Sequence, residues 1–345
     1  MHEALFYERQ GADQVRCHLC RFRCLIKNGA RGHCQVRENQ GGTLYSLTYG
    51  KLCAQAIDPI EKKPLFHVMP GSTSFSLASP GCNFRCRHCQ NAAISQVGAG
   101  ATVRGGVVSP AEVVEQALAR GCPSLSYTYT EPTVFYEFAL DTARLAHQAG
   151  LRNIFVSNGY ISPEALGGIS PWLDAANIDL KGFSETFYRD IVQARLSEVL
   201  DSLIEYRRLG IWLELTTLVI PGLNDSDAEL RDLASFITTH LGADTPWHVS
   251  QFYPTYQLTN RPRTPLATLR RAREIGLAAG LHYVYQGNAP GEGGEDTRCP
   301  NCQADLIKRR GFTILSNRLE QGNCPDCGTT IAGIGMGPSP WLGGA

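Results

Sequence analysis

Three closely spaced cysteines are the residues of this sequence best suited to metal or redox chemistry. Cys82, Cys86 and Cys89 lie within eight residues, directly after a predicted strand. A structural zinc ion or a coordinatively complete iron–sulfur cluster takes four protein ligands, whereas three thiolates leave one metal position open. His88 could supply the fourth ligand of a small zinc site, but that alternative does not explain the strand before the cysteines or the motifs at later strand ends. The spacing therefore favours a catalytic metal centre.

A second set of cysteines forms two CPxC pairs near the C-terminus, about 20 residues apart. Four thiolates in this pattern are typical of a zinc ribbon, in which a closed coordination sphere stabilises a segment too short to form its own core. We therefore predict a structural zinc site. Its expected ligands are Cys299, Cys302, Cys324 and Cys327.

A third set of cysteines lies near the N-terminus: Cys17, Cys20, Cys24 and Cys34. The count suits a four-thiolate site, but the spacing is irregular and fits either zinc or an auxiliary iron–sulfur cluster. His18 and His33 are adjacent to these cysteines and could replace a thiolate in either case. Cys53 and Cys122 stand alone, and small buried side chains are their expected role.

The elements that must position the cysteine motif follow the pattern of repeated βα units between residues 72 and 286. Short apolar runs alternate with amphipathic helical stretches. We predict six strands, with the run YVY at residue 283 as a possible seventh. The six begin at Ser74, Ser124, Asn153, Ala175, Trp212 and His248. Six units are too few for a closed eight-stranded barrel, so we expect an α/β fold with a partial (βα)6 barrel.

Composition argues against several other classes of protein. Lys plus Arg and Asp plus Glu both number 32, so no global field attracts nucleic acid or an anionic membrane, and only a local polyanion site is left open. The N-terminus lacks the basic and apolar regions of an export signal, and no apolar run reaches the ~20 residues of a spanning helix. Thirteen cysteines in such a chain indicate metal ligation rather than a disulfide framework. We expect a soluble, cytoplasmic protein.

The CxxxCxxC spacing, with Phe84 two residues after the first cysteine, resembles the motif of the radical S-adenosylmethionine (SAM) superfamily. The resemblance implies that Cys82, Cys86 and Cys89 hold a [4Fe-4S] cluster whose open iron binds the amino and carboxylate groups of SAM. One electron from an external donor, such as flavodoxin or ferredoxin, then cleaves SAM. The resulting 5′-deoxyadenosyl radical abstracts hydrogen from a substrate. The protein has to exclude water and competing hydrogen donors from this chemistry.

Two motifs at the ends of the second and third strands resemble cofactor-binding elements of this superfamily. Tyr129, Thr130 and Glu131 occupy the place of the GGE motif, which binds the methionine amino group, although the glycines are absent. An acidic residue at a helix start is the alternative role for Glu131. Ser157 and Asn158 resemble the TNG element of glycyl-radical-enzyme activases, whose polar side chains lie near the cofactor.

Two further motifs follow the fourth and fifth strands. Asp179 and Lys181 resemble the DLK motif of the same activases, in which the lysine pairs with the methionine carboxylate. A compact ammonium group suits that contact, and a solvated loop charge is the alternative. Pro221 and Gly222 resemble the VPG segment beside the adenine, where backbone and apolar contacts are expected.

A wider resemblance covers most of the chain. Residues 57–71, 80–91, 129–137 and 285–291 together resemble the radical SAM enzyme of the AmmeMemoRadiSam system, which is related to pyruvate formate-lyase activating enzymes. That family takes its name from the AMMECR and MEMO protein families, whose genes accompany it. Proteins of those two families are the partners that the resemblance implies.

The expected function is that of a radical SAM oxidoreductase, similar to an activating enzyme, that abstracts hydrogen from a macromolecular partner. We expect a cysteine-rich metal module at residues 1–50, the partial barrel at 51–290 and a zinc-ribbon-like module at 291–345. The alternative is a non-catalytic, zinc-dependent module that binds protein or nucleic acid. That alternative gives no use to the three central thiolates.

Overall fold

A computed structural model describes residues 1–11 and 13–337 of the chain. Residues 338–345 of the predicted C-terminal module therefore lie outside the described residues. The strands are β1 His2–Glu3, β2 Tyr7–Gln10, β3 Gln14–Cys17, β4 Leu25–Lys27, β5 Arg37–Gln40, β6 Thr43–Ser46, β7 Lys51–Leu52, β8 Ala54–Pro59, β9 Thr73–Ala78, β10 Gly106–Val107, β11 Ser124–Tyr127, β12 Arg152–Ser157, β13 Ala175–Asp179, β14 Trp212–Val219, β15 Trp247–Gln251, β16 Val284–Gly287, β17 Thr297–Arg298, β18 Asp305–Arg310 and β19 Thr313–Asn317.

Helices follow most of the longer strands. The α-helices are α1 Ala92–Ser95, α2 Pro110–Ala119, α3 Tyr136–Gln148, α4 Pro163–Ile169, α5 Glu185–Phe187, α6 Leu196–Arg208, α7 Asp227–Phe236 and α8 Leu266–Ala278. Short 3₁₀ turns cover Ile60–Lys62, Pro132–Phe135 and Ser170–Trp172, and π-helical turns cover Tyr188–Val192 and Ile237–Leu241. Within the described ranges, no helix combines the length and apolar character that crossing a membrane requires.

Eight strands form one sheet in the order β16-β15-β14-β13-β12-β11-β9-β8. Neighbours within it, such as β9 with β11 and β14 with β15, are parallel. The predicted strands correspond to β9 and β11 to β15, and the seventh to β16, so the α/β sheet of mainly parallel strands is confirmed. Strands β11 and β15 are buried along their whole length, as in sheets that helices cover on both faces. The sequence pattern does not predict β8, because most of its residues (AQAIDP) are weak strand formers.

The described residues divide into two compact units, and the first consists of Met1–Ile57, Ser74–Ala176 and Ser197–Ile211. It contains β9, β11 and β12 with helices α2, α3 and α4. Helix α2 begins with a capping box: the Ser109 side chain accepts a hydrogen bond from the Glu112 backbone N–H, the Glu112 side chain accepts one from the Ser109 backbone N–H, and Pro110 is the first helical residue.

Two small antiparallel sheets, β1-β6-β5 and β2-β3-β4, form the N-terminal part of the first unit. Arg37 on β5 connects them to helix α3. Its Nη2 atom donates to the Leu5 carbonyl at 2.7 Å and to the Glu137 carboxylate at 2.8 Å, and both charged side chains are almost fully buried. Because an unpaired buried charge is costly, loss of either partner should destabilise the fold by about 3–5 kcal/mol.

The second unit consists of Asp58–Thr73, Asn177–Leu196 and the described residues from Trp212 onward. A buried carboxylate on β14 holds the segment 58–73 in place. Glu214 accepts hydrogen bonds from the backbone N–H groups of Phe66 and His67 and lies 2.7 Å from Nε2 of His248. Burial opposes its charge, but the hydrogen bond and charge of His248 keep the pKa of Glu214 below its ordinary value. The antiparallel sheet β17-β18-β19 also belongs to this unit.

Candidate metal and cofactor site

The chain turns sharply between β9 and the three central cysteines. Gly81 has a φ angle of 106°, which residues with a side chain rarely adopt. A Cβ atom at this position would lie 2.8 Å from Cγ1 of Val36, which is too close. Both observations require glycine at the turn. The turn places Cys82 at the carboxyl end of a parallel strand, the edge of the sheet where α/β proteins form their sites.

The central cysteines share one loop: Cys86 is buried, and Cys82 and Cys89 are half-buried. The backbone N–H of Phe84 donates to Sγ of Cys82 at 3.3 Å, and Sγ of Cys89 lies 3.2 Å from Oγ of Ser95. Burial, the charge of Glu131 and the other two cysteines of the motif raise the pKa of Cys82 well above its ordinary value. Three thiolates at this place therefore need a positive centre to stabilise them, and a metal provides one.

Two asparagine side chains lie beside Cys82. Nδ2 of Asn158 donates to Oδ1 of Asn83 at 2.7 Å and lies 3.7 Å from Sγ of Cys82. Oδ1 of Asn158 accepts a hydrogen bond from the Tyr160 backbone at 3.0 Å, which fixes the amide at its other end. An N–H group held against a ligating sulfur stabilises the thiolate and tunes the metal. Asn158 is thus placed to support a metal held by the central cysteines.

Glu131 connects the ends of β11 and β12. One carboxylate oxygen accepts hydrogen bonds from the backbone and hydroxyl of Thr133 and from the hydroxyl of Ser157, and the other accepts from the Asn158 backbone. The side chain is buried, and burial raises its pKa while these hydrogen bonds oppose the rise. Four donors occupy about all the acceptor sites of a carboxylate. Glu131 therefore orients Ser157 and Asn158.

Tyr129 and Thr130 form the turn before Glu131. Tyr129 has a left-handed φ angle of 62°, and its carbonyl accepts a hydrogen bond from Nδ2 of Asn91 at 2.7 Å. The Thr130 hydroxyl donates to the Ser79 carbonyl at 2.6 Å. These contacts attach the turn to both flanks of the cysteine loop. The strained backbone at Tyr129 is of the kind that clusters at functional sites.

The other four predicted cofactor residues lie in the second unit. Nζ of Lys181 forms an ion pair with Asp179 at 2.9 Å, and the Lys181 carbonyl accepts a hydrogen bond from Asn224. Gly222, which follows Pro221, has a φ angle of 71° and donates its N–H to a nearby aspartate. The Lys181 ammonium is largely shielded from water, whereas Asp179 is more than one third exposed. This partial desolvation strengthens any contact that Lys181 makes with a carboxylate.

The four N-terminal cysteines converge in the first unit. All four line one cavity. Burial raises the pKa of Cys20 well above its ordinary value, and the charges of the other three cysteines add to this effect. The structure therefore brings this set together as a four-thiol site.

The C-terminal cysteines form the tightest group. Their Sγ atoms all lie within 4.8 Å of one another, with 3.5 Å between Cys299 and Cys327 and 3.6 Å between Cys302 and Cys324. Among the described residues, this is the one group of three or more histidine, cysteine or acidic ligands gathered around a single ion position. Cys299 and Cys324 are buried in an apolar cluster, while Cys302 and Cys327 are exposed. The arrangement suits one ion with four thiolate ligands.

Comparison with known proteins identifies the class of this chain. Residues 76–234 match the family described as the radical SAM superfamily, so this part of the chain is a radical SAM domain. It is also 47% identical over 333 residues to uncharacterized protein MJ0808 of Methanocaldococcus jannaschii, which covers 96% of this chain and 99% of that protein. The two proteins are therefore members of one family.

Similarity to a solved structure supports the fold. A radical SAM methyltransferase from Sphaerobacter thermophilus matches with a TM-score of 0.50 and 17% identity, over 64% of this chain and 68% of that chain. A domain of a pyruvate-formate lyase-activating enzyme from Bacteroides vulgatus matches with a TM-score of 0.43 and 14% identity, over 48% of this chain and 99% of that domain. At such identities the methyltransferase match establishes the fold alone.

The residues of the central site fit the cofactors that this superfamily implies. One loop supplies three thiols, which leaves one iron of a [4Fe-4S] cluster open for SAM. The N–H groups of Phe84 and Asn158 already point at a ligating sulfur. The cysteine spacing does not indicate a role for Asn83 or Ser95, although both lie within or just after the cysteine motif. Their polar side chains were the available signal.

We predict that the four C-terminal cysteines bind zinc. Replacing the buried Cys324 with serine should then remove about one zinc ion per chain, because a site left with three thiolates binds the ion poorly. Amide exchange in β18 and β19 should accelerate, while exchange in β9 and β11 stays unchanged. The matched control is Cys53→Ser: this thiol lies outside the three sets and donates to the Ala78 carbonyl, which a hydroxyl can also do. Iron instead of zinc at this site, or unchanged zinc in the variant, would contradict the assignment.

The resemblance implies that Lys181 pairs with the methionine carboxylate of SAM. Replacing Lys181 with methionine should then weaken SAM binding roughly ten- to a hundred-fold, because this charge-assisted contact is lost and Asp179 stays nearby with its negative charge. The apolar stem keeps its packing, so the iron content should not change. Titration of the reconstituted protein with SAM measures the effect. Lys308→Met is the control, since that lysine is half exposed in an ion pair far along the chain. An unchanged dissociation constant would show that Lys181 is a solvated loop residue that does not bind SAM.

Proposed function

We propose that this protein is a radical SAM oxidoreductase that abstracts hydrogen from a macromolecular partner. One observation supports the proposal: three buried or half-buried cysteines share a loop at the carboxyl end of β9, and Nδ2 of Asn158 lies 3.7 Å from Sγ of the first of them. A bound [4Fe-4S] cluster supplies one-electron cleavage of SAM to a 5′-deoxyadenosyl radical. Cys82, Cys86 and Cys89 hold that cluster in the proposal, and Asn158 stabilises it through the Cys82 sulfur.

The proposal gives the remaining site residues roles that follow from their chemistry. Glu131 keeps Ser157 and Asn158 in position and adds a negative charge near the methionine amino group. Lys181 pairs with the methionine carboxylate, and Asp179 holds the lysine in place until SAM binds. The backbone of Pro221 and Gly222 packs against the adenine. Tyr129 and Thr130 take the place of the two glycines of the GGE motif.

The substrate and partners are part of the same proposal. We infer that the mainly parallel sheet is a partial (βα)6 barrel, since an incompletely closed barrel can admit a large substrate. The resemblance to the AmmeMemoRadiSam enzyme supports AMMECR and MEMO proteins as partners. A flavodoxin or ferredoxin is the class of donor that delivers single electrons at low potential. Copurification with the products of neighbouring genes would identify the partner.

Alanine at Cys82, Cys86 or Cys89 should abolish 5′-deoxyadenosine formation and lower iron per chain without unfolding the sheet. The three residues lie in a loop rather than in a strand, so their loss leaves the core intact. The assay is anaerobic incubation with dithionite and SAM, followed by chromatography of the products. Circular dichroism and thermal unfolding test the fold.

Cys53→Ser again serves as the control and should retain cleavage. Full SAM cleavage by any of the three alanine variants would overturn the proposed function. A wild-type protein that binds zinc at the central cysteines and cleaves no SAM would favour the non-catalytic binding module instead.

A further inference from the structure

The four N-terminal cysteines surround a cavity that lies against the central cysteine loop. The lining includes Asn83, which follows Cys82 directly, and Arg37. A Cβ atom at Gly81 would lie 3.6 Å from the Cys34 carbonyl, so the two cysteine segments are in contact. The cavity and the central loop belong to the same compact unit.

Backbone N–H groups donate hydrogen bonds to the N-terminal thiols. The N–H of His33 donates to Sγ of Cys24 at 3.5 Å. Backbone hydrogen bonds from Phe22 and Val36 likewise stabilise the charged forms of Cys20 and Cys34. Such N–H groups around sulfur are the surroundings that metal-bound thiolates require. Three of the four thiols therefore have a backbone hydrogen-bond donor.

Further side-chain donors face the same cavity without an acceptor. Arg37 is about 2% exposed, and its Nε and Nη1 atoms have no hydrogen-bond partner among the described residues, although Nη2 is paired. Nδ2 of the fully buried Asn83 is also without a partner in the described part of the chain. Unsatisfied buried N–H groups are costly, so they indicate acceptors that the protein atoms do not provide.

The spacing of the N-terminal thiols distinguishes their site from a site for a single ion. The C-terminal cysteines are gathered around one ion position, and the N-terminal four, all of them described residues, do not form such a group. The three central cysteines share this property. A single zinc ion needs its four sulfur ligands at about 2.3 Å, whereas an iron–sulfur cluster holds its thiolates around a larger body and adds inorganic sulfides as acceptors.

We propose that the N-terminal cysteines bind a second [4Fe-4S] cluster, with Arg37 and Asn83 as hydrogen-bond donors to its sulfur atoms. Its ligands are Cys17, Cys20, Cys24 and Cys34. All four cluster positions are then filled by protein, so this cluster does not bind SAM. The inference goes beyond the proposed function and does not depend on it, because the central cysteines contribute no ligand.

The test uses the full-length chain with Cys82, Cys86 and Cys89 all replaced by alanine, reconstituted anaerobically with iron and sulfide. We expect about four irons per chain to remain, compared with about eight in the unaltered protein. The dithionite-reduced variant should give an electron paramagnetic resonance signal that SAM does not change. Zinc should stay at about one per chain.

A second variant makes the outcome decisive if the first folds poorly. Cys17→Ser with Cys20→Ser, in the otherwise unaltered chain, should lose about half of the iron and keep a SAM-sensitive signal. About two zinc ions per chain, with no iron left in the first variant, would overturn the inference and leave the proposed function intact. Absence of any SAM-sensitive signal in the unaltered protein would instead count against the proposed function.

Arg37→Lys tests the donors directly, because lysine keeps the charge beside Glu137 and removes the two unpartnered nitrogen atoms Nε and Nη1. In the background without the central cysteines, iron content should stay the same and the reduction potential should fall, since hydrogen bonds to sulfur stabilise the reduced cluster. Arg31→Lys is the control, as that guanidinium pairs with Glu38 and does not line the cavity. An unchanged potential in Arg37→Lys would show that its N–H groups do not reach the cluster.

Discussion

The buried carboxylate of Glu131 is the interaction on which the surroundings of the central cysteines depend. It joins the end of one parallel strand to the end of the next and fixes Asn158, which in turn contacts Cys82. Its hydrogen-bond donors are backbone and hydroxyl groups, all neutral. The negative charge is therefore balanced only by dipoles, and a positive centre at the cysteines would stabilise it further. The carboxylate and the thiols thus favour a bound metal together.

The cysteines of this chain experience two kinds of surroundings. In the C-terminal set, the four sulfur atoms surround one ion position, two of the cysteines are exposed, and the other two belong to an apolar cluster. In the N-terminal and central sets, whose sulfur atoms are more widely spaced, backbone N–H groups and buried polar side chains lie around the sulfur atoms. Zinc has no redox chemistry and needs only a closed shell of ligands. The reduction potential of an iron–sulfur cluster depends on hydrogen bonds to its sulfur atoms, and the buried donors provide such bonds.

Features that depend on local sequence could be predicted. The CxxxCxxC loop, the CPxC pairs, the capping box at Ser109 and the six main strands all lie in short segments whose pattern has one physical interpretation. Contacts between distant segments could not be predicted. Arg37 pairs with Glu137, and Glu214 with the backbone of Phe66, across 100 and 148 residues. Nothing local in the sequence selects these partners, because burial of both groups arises only from tertiary packing.

The Arg37 and Glu137 pair also sets an order of events during synthesis. The N-terminal cysteines all emerge from the ribosome within the first 34 residues, but the carboxylate that pairs with Arg37 follows a hundred residues later. At translation rates of ~5–20 residues per second, this delay is on the order of 5–20 seconds. Throughout that interval the guanidinium remains hydrated and the nascent cysteine segment has no anchor on α3. Metal delivered early would therefore bind an open, solvated loop, and α3 would enclose it afterwards.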